Sequence, residues 1–237
     1  MFDFKDQVIV VTGAAGNLGK AVVSEFLGSR GIVCGLDHRT SRMDEFKTSG
    51  SGGGLFYAFD GVDVTDHANM LSLARKIQDK VGIVRILVNT VGGFSMGDPV
   101  HALSATTWQR MMNLNVLSFL NLTAAFVPGM IGNGAGKVIA VGAKAGLQGM
   151  ANAGAYSAAK AALIRLTESM AGELKPNNIQ VNTIIPGTID TPENRREMPN
   201  ADFGKWVSPE QVADAILFLS SSAADGITGI ALPVYGR

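Results

Sequence analysis

The stretch Val8-Ile9-Val10-Val11-Thr12-Gly13-Ala14-Ala15-Gly16-Asn17-Leu18-Gly19 decides the fold. Four β-branched residues in a row show no polar alternation, which suits a strand buried on both faces of a parallel sheet. Three glycines spaced three apart follow, and Leu18, Val22, Val23 and Phe26 then repeat at helical spacing. Glycines between a strand and a helix permit a tight turn, close approach of a pyrophosphate and close helix–strand packing. The helix N-terminus also meets the negative charge. Gly13, Gly16 and Gly19, with Asn17 and Leu18 between them, are therefore expected to hold a dinucleotide.

The same alternation runs to the end of the chain. Strands are expected at 32–36, 55–59, 83–88, 138–141, 181–185 and 230–234. Helices are expected at 66–80, at 104–127 with a stop at Pro128, and at 156–174. Another opens at Ser208-Pro209-Glu210-Gln211, with an N-cap serine, proline at its first position and a capping-box glutamine. Strict strand–helix alternation predicts an α/β fold: a doubly wound parallel sheet, a Rossmann fold, in a single domain over 1–237. Residues 49–54 read as a slack connector. Residues 186–207 lack a regular pattern, and long irregular loops of this kind usually serve a substrate site.

Composition narrows the function. Twenty acidic and twenty basic residues cancel, so there is no bulk attraction to nucleic acid or an anionic membrane. A single cysteine, Cys34, forbids an internal disulfide, and no metal site is expected. The charged N-terminus lacks the apolar core of a secretory signal. Residues 111–136 are uncharged, but Asn113, Asn115, Asn121 and Pro128 make them a poor membrane span and a plausible buried helix. The expectation is a soluble, cytoplasmic protein acting on a small molecule. The 29 glycines are in excess of the usual share of about 7% and fit backbones that approach a ligand closely.

Two further features carry chemistry. Asp37 closes the second strand, 18 residues past Gly19. A carboxylate there accepts both ribose hydroxyls and repels a 2′-phosphate, so NAD is expected and NADP is the alternative. His38 and Arg39 soften that preference. Tyr156 and Lys160 lie one helical turn apart. The ordinary phenol value is about 10, and a neighbouring ammonium lowers it, which prepares Tyr156 to give a proton while a nicotinamide delivers hydride.

Taken with the glycine turn, these residues resemble the short-chain dehydrogenase/reductase family over nearly the whole chain. Asp63-Val64 resembles its adenine contact, and Asn89-Thr90-Val91-Gly92 its Asn-Asn-Ala-Gly motif with two substitutions. Asn115 matches the helix asparagine that links the lysine to a water relay. Pro186-Gly187-Thr188-Ile189-Asp190-Thr191 matches the segment that holds the nicotinamide carboxamide, and Ile227-Thr228-Gly229 the C-terminal signature. The resemblance implies catalytic roles for Tyr156, Lys160 and Asn115, with cofactor contacts from Tyr156, Lys160, Pro186, Gly187, Ile189 and Thr191. It also implies a homotetramer, with a dimer as the alternative, built on the helices at 104–127 and 156–174.

There are two departures. Asn17 stands where the family's second glycine usually lies, and Gly16 supplies a glycine one place earlier. The family's catalytic serine lies 13 residues before the tyrosine, and that position is Ala143, with no Ser, Thr or Tyr anywhere in 137–155. Losing such a donor costs about 10²–10³ in rate for a ketone. A narrower resemblance bears on this gap. Gly142–Ala145, Gly92-Gly93-Phe94 and the residues from Asp190 to Trp206 are similar to the quinonoid dihydropteridine reductase branch, which also lacks the serine. Its substrate is already activated. The loop residues Phe203 and Trp206, with Phe94 and Ala143, are expected to face the substrate. A reading of another class is a non-catalytic NAD-binding sensor or scaffold, against which the complete Tyr/Lys/Asn set argues.

Overall fold

The computed structural model describes residues 2–38, 43, 46 and 53–236. Arg39 and most of the connector at 49–54 lie outside the described residues. Strands β1 (Val8–Thr12), β2 (Ile32–Leu36), β3 (Leu55–Phe59), β4 (Val84–Asn89), β5 (Gly136–Val141), β6 (Ile179–Pro186) and β7 (Ala231–Val234) pair in parallel throughout. Their order is β3-β2-β1-β4-β5-β6-β7. The direction of winding reverses between β1 and β4, which opens a crevice at the carboxyl ends of those strands. The helices that lie wholly within the described residues are α1 (Asn17–Gly28), α2 (His67–Lys80), α3 (Ala105–Met112), α4 (Ser118–Asn133), α5 (Gly154–Leu174), α6 (Pro192–Glu197) and α7 (Pro209–Ser220).

The apolar run that opens the chain is buried at every position. Its side chains divide by parity. Ile9 and Val11 join Val22, Phe26 and the α7 residues Val212 and Ile216 in one core. Val8 and Val10 join Met70, Ile77, Phe119 and Leu163 in the other, among α2, α4 and α5. Both faces of the strand are therefore packed, which is why no polar alternation appears. Each such Val or Ile contributes about 1.5–3 kcal/mol by leaving water.

Three expectations need correction. The long helix does not stop at Pro128: α4 continues to Asn133 and ends at Gly134 in the left-handed region, φ 68°. Pro128 and Ala124, whose carbonyl loses its partner, both lie on the exposed side, while Phe126, Val127 and Met130 are buried. Core packing outweighs one lost hydrogen bond. Second, the helix is not uniform, because Asn113–Leu117 between α3 and α4 is a π-helical turn. Third, 186–207 is not irregular throughout, since it contains α6 and a 3-10 turn at Phe203–Lys205. Thr191 caps α6 by accepting from Asn194 N, and Pro192 takes the first position, where its missing N–H costs nothing.

The run Ala105–Asn133 is long and apolar enough by length and composition to cross a membrane. More than half of its most apolar 18-residue window, 56%, is buried inside the molecule, with Phe119, Leu122, Phe126 and Met130 in the second core. It packs as a core helix.

Candidate cofactor and active site

The turn after β1 is held by its glycines. Gly13 sits at φ 63°, and Gly16 N donates to its carbonyl at 2.9 Å. A Cβ on Gly19 would stand 2.0 Å from Gly13 O, so only glycine lets α1 start so close to the strand. Gly16 precedes α1 without a side-chain cap, which leaves the first-turn N–H groups to an outside acceptor. Asn17, the departure from the family pattern, donates from Nδ2 to Glu193 Oε2 of α6 at 2.6 Å.

Below the turn, Thr12 Oγ1 donates to Asn89 Oδ1 at 2.8 Å, and Thr90 Oγ1 to Thr12 O at 2.6 Å. Asn89 is almost fully buried, and its Nδ2 has no protein partner. The next residue, Thr90, lines a cavity of 740 Å³ together with Gly13, Gly16, Asn17, Leu18 and Gly19. The cavity continues past Asp37, Asp63, Val64 and Gly92, so nine of the expected residues meet in one cleft. Sequence reading missed Leu36, Gly61, Val62, Thr65, Val91 and Leu114, which also line it. Apart from Thr65 these are glycine and aliphatic residues, which carry no distinctive signal.

At the ribose end, Asp37 Oδ2 accepts from Ala15 N at 3.0 Å, and Oδ1 lies 3.4 Å from His38 Nδ1. One carboxylate oxygen thus holds the glycine turn, and Asp37 also lines the cleft. Asp63 accepts from Thr65 N at 2.8 Å and Thr65 Oγ1 at 2.7 Å, and these bonds hold its carboxyl below the ordinary value. Asn121 of α4 donates to the carbonyls of Val64 (3.2 Å) and Thr65 (2.9 Å) and its Oδ1 lies 3.2 Å from His67 Nδ1. It clamps the Asp63–Thr65 turn from behind, a role the sequence reading did not assign.

The reacting end gathers Tyr156, Lys160, Asn115, Gly92 and Gly93. Lys160 Nζ donates to Val141 O at 2.8 Å and lies 6.0 Å from the centre of the Tyr156 ring. Asn115, inside the π turn, accepts from Gly93 N at 3.2 Å and donates to Gly93 O (3.0 Å) and Met111 O (2.9 Å). Burial pushes the Tyr156 phenol up to about 12 and the Lys160 ammonium down to about 8. The expected lowering of the phenol by the lysine is thus not seen in this state, because desolvation dominates where the ammonium bonds a carbonyl. Phe94 meets the Tyr156 ring edge-on at 5.0 Å. Ala143, at the position of the family's serine, is buried, and the Oγ of Ser157 accepts from Met150 N at 3.2 Å.

The remaining expected residues stand outside the cavity. Pro186 ends β6, and Gly187 N donates to Val234 O at 2.9 Å. Ile189 bridges to Val207, and Thr191 caps α6. Phe203 and Trp206 pack on each other at 4.8 Å, and the Arg195 guanidinium lies 4.7 Å from the Phe203 ring. Neither aromatic lines the cofactor cavity.

A glycine cradle at a helix N-terminus, a carboxylate at the second strand and an orphaned amide donor together fit a dinucleotide. A family model described as short chain dehydrogenase matches residues 7–202. The chain is 32% identical over 248 residues to 2-(S)-hydroxypropyl-CoM dehydrogenase 3 of Xanthobacter autotrophicus, covering 98% of this chain and 96% of that protein. It is 30% identical over 240 residues to the 3-oxoacyl-(acyl-carrier-protein) reductase FabG of Thermotoga maritima, covering 97% and 96%. Among solved structures, a short-chain type dehydrogenase/reductase from Mycobacterium ulcerans superposes with TM-score 0.93 at 24% identity, over 99% of this chain and 90% of that one. ElxO with NADP bound superposes with TM-score 0.88 at 25% identity, over 97% of each.

Proposed function

The chain belongs to the short chain dehydrogenase family and is an NAD(P)-dependent oxidoreductase, and we propose how its site works. The cofactor is NAD(H), and the substrate is a small carbonyl or an activated C=N or quinonoid compound. The bound nicotinamide supplies or accepts hydride. Tyr156 gives the accompanying proton to the substrate oxygen or nitrogen, and Lys160 holds the nicotinamide ribose. Asn115, tied to both backbone groups of Gly93, fixes the turn that carries Gly92 against Lys160. The observation that carries the reading is the meeting of Tyr156, Lys160 and Asn115 at one end of the glycine-lined cleft.

Ala143 favours the activated acceptor. Without a hydroxyl at that position, Tyr156 is the donor available to the substrate, and a ketone loses the second hydrogen bond that polarises it. A quinonoid dihydropterin needs no such help. Phe94, exposed and edge-on to the Tyr156 ring, supports a flat or apolar substrate.

Assays of NADH and NADPH oxidation with a quinonoid dihydropterin and with a panel of ketones test this. Turnover of the dihydropterin with NADH in preference to NADPH is the expected result. Binding of NADH with no turnover of either class would instead favour a sensor.

For the assembly we propose a homotetramer. Trp108, Leu117, Leu120 and Ile131 are apolar yet exposed along the α3–α4 run, and a partner subunit would cover such side chains. Sedimentation equilibrium distinguishes a tetramer from a dimer.

A further inference from the structure

The lid segment after β6 is braced internally. Asp190 and Arg195 form a bidentate pair at 2.5 and 2.6 Å, Arg195 lies over Phe203, and Phe203 packs on Trp206. Asp190 N donates to Val207 O at 2.8 Å, and Val207 N to Thr188 O at 3.0 Å. Asn194 Nδ2 donates to Ile189 O at 2.8 Å. These contacts tie much of 188–207 to itself. Its tie to the cofactor turn is Asn17 Nδ2 to Glu193 Oε2 at 2.6 Å, across 176 residues of chain.

Asn17 lines the cofactor cavity at the first position of α1, where the unsatisfied N–H groups favour an anion. Through its bond to Asn17, Glu193 brings a negative charge to the edge of the helix N-terminus that would receive the pyrophosphate. We propose that Glu193 is a cofactor-gating residue, which holds the lid on the glycine turn through Asn17 and opposes the cofactor's pyrophosphate, setting a low affinity and fast release. Two acceptors, the carboxylate and the phosphate oxygens, compete for the same amide, and like charges repel across a partly desolvated cleft. The carboxylate is more than half exposed and contacts Arg196 at 3.5 Å, so replacing it leaves the core untouched.

The inference rests on the nicotinamide-cofactor reading, and the experiment separates the two. Calorimetric titration of the full chain with NADH, ADP-ribose and adenosine is compared for wild type, Glu193→Gln and Glu193→Ala. Glu193→Gln keeps an acceptor for Asn17 and removes the charge; Glu193→Ala removes both. Both variants are expected to bind NADH and ADP-ribose about three- to tenfold more tightly at low salt, with the gain fading at high salt as the charge is screened. Adenosine, which lacks the pyrophosphate, is expected to bind unchanged. In an Asn17→Ala background the gain from Glu193→Gln should shrink by at least half. Unchanged or weaker NADH binding by both variants, or an equal change for adenosine, overturns the gate. Failure of the wild type to bind either NADH or NADPH overturns the cofactor reading instead.

Discussion

Gly92 and Lys160 are in near contact: a Cβ built on Gly92 would stand 3.1 Å from Lys160 Nζ, and also 2.9 Å from Asn115 Oδ1. The absence of a side chain at Gly92 is what lets the lysine and the asparagine close on the same turn. The bond from Lys160 to Val141 O and those from Asn115 to Gly93 leave neither group slack to retreat. Gly92→Ala is therefore expected to lower kcat by about 10²-fold through displacement of the reacting pair. Gly92 is exposed, so thermal melting should move by only a few degrees. A normal kcat would show that the pair tolerates the shift.

Ala143 predicts a gain of function. Its backbone is extended, with φ −163° and ψ 157°, and a serine fits those angles without strain. Ala143→Ser is expected to raise ketone turnover by about 10–10³-fold and to leave reduction of a quinonoid dihydropterin within about twofold. Steady-state kinetics with both substrate classes check it.

Asp37 predicts a change of cofactor preference. Asp37→Asn keeps an oxygen for Ala15 N and removes the charge that repels a 2′-phosphate. The NADH-to-NADPH ratio of kcat/KM should fall about tenfold, with little change in melting temperature.

Lys160 predicts a pH dependence. Burial lowers its ammonium to about 8 from the ordinary 10.5. Between those values the unfolded chain holds a proton that the folded chain has released, so the lysine's contribution to stability rises with pH across that window. Below about pH 8 both states are protonated, and the folded state carries the whole cost of the buried charge. The stability of Lys160→Met relative to wild type should therefore be greatest near pH 7.5 and fall by about 2 kcal/mol by pH 10. Urea denaturation at the two pH values measures this; a pH-independent difference would refute it.

Much of the architecture could be read from the order of apolar runs, since a strand such as β1, packed on both faces, announces itself by lacking polar alternation. The glycine turn was legible for a related reason: the 2.0 Å approach to Gly13 O admits no other residue at position 19. What escaped depended on contacts distant in sequence. Nothing local marks Asn113–Leu117 as a π turn, although that turn lets Asn115 reach Gly93 while also bonding Met111 O. Asn121 looked like one more polar residue in an apolar helix until its amide met Val64 and Thr65, 57 and 56 residues away. Proline at 128 misled because its exposure, which decides whether a helix tolerates it, is a property of the fold.

The lid also has a consequence for redesign. Much of 188–207 is braced by its own ion pair, aromatic pair and backbone bonds, so an exchange of the segment between relatives has few outside contacts to preserve, chief among them Val207 and Ile189 on the first core. The graft also has an electrostatic compatibility rule at its seam: the donor's residue at position 193 must suit Asn17 of the recipient. A segment carrying a cation there would bring attraction where this protein has repulsion, and would turn a quick-release cofactor site into a retaining one.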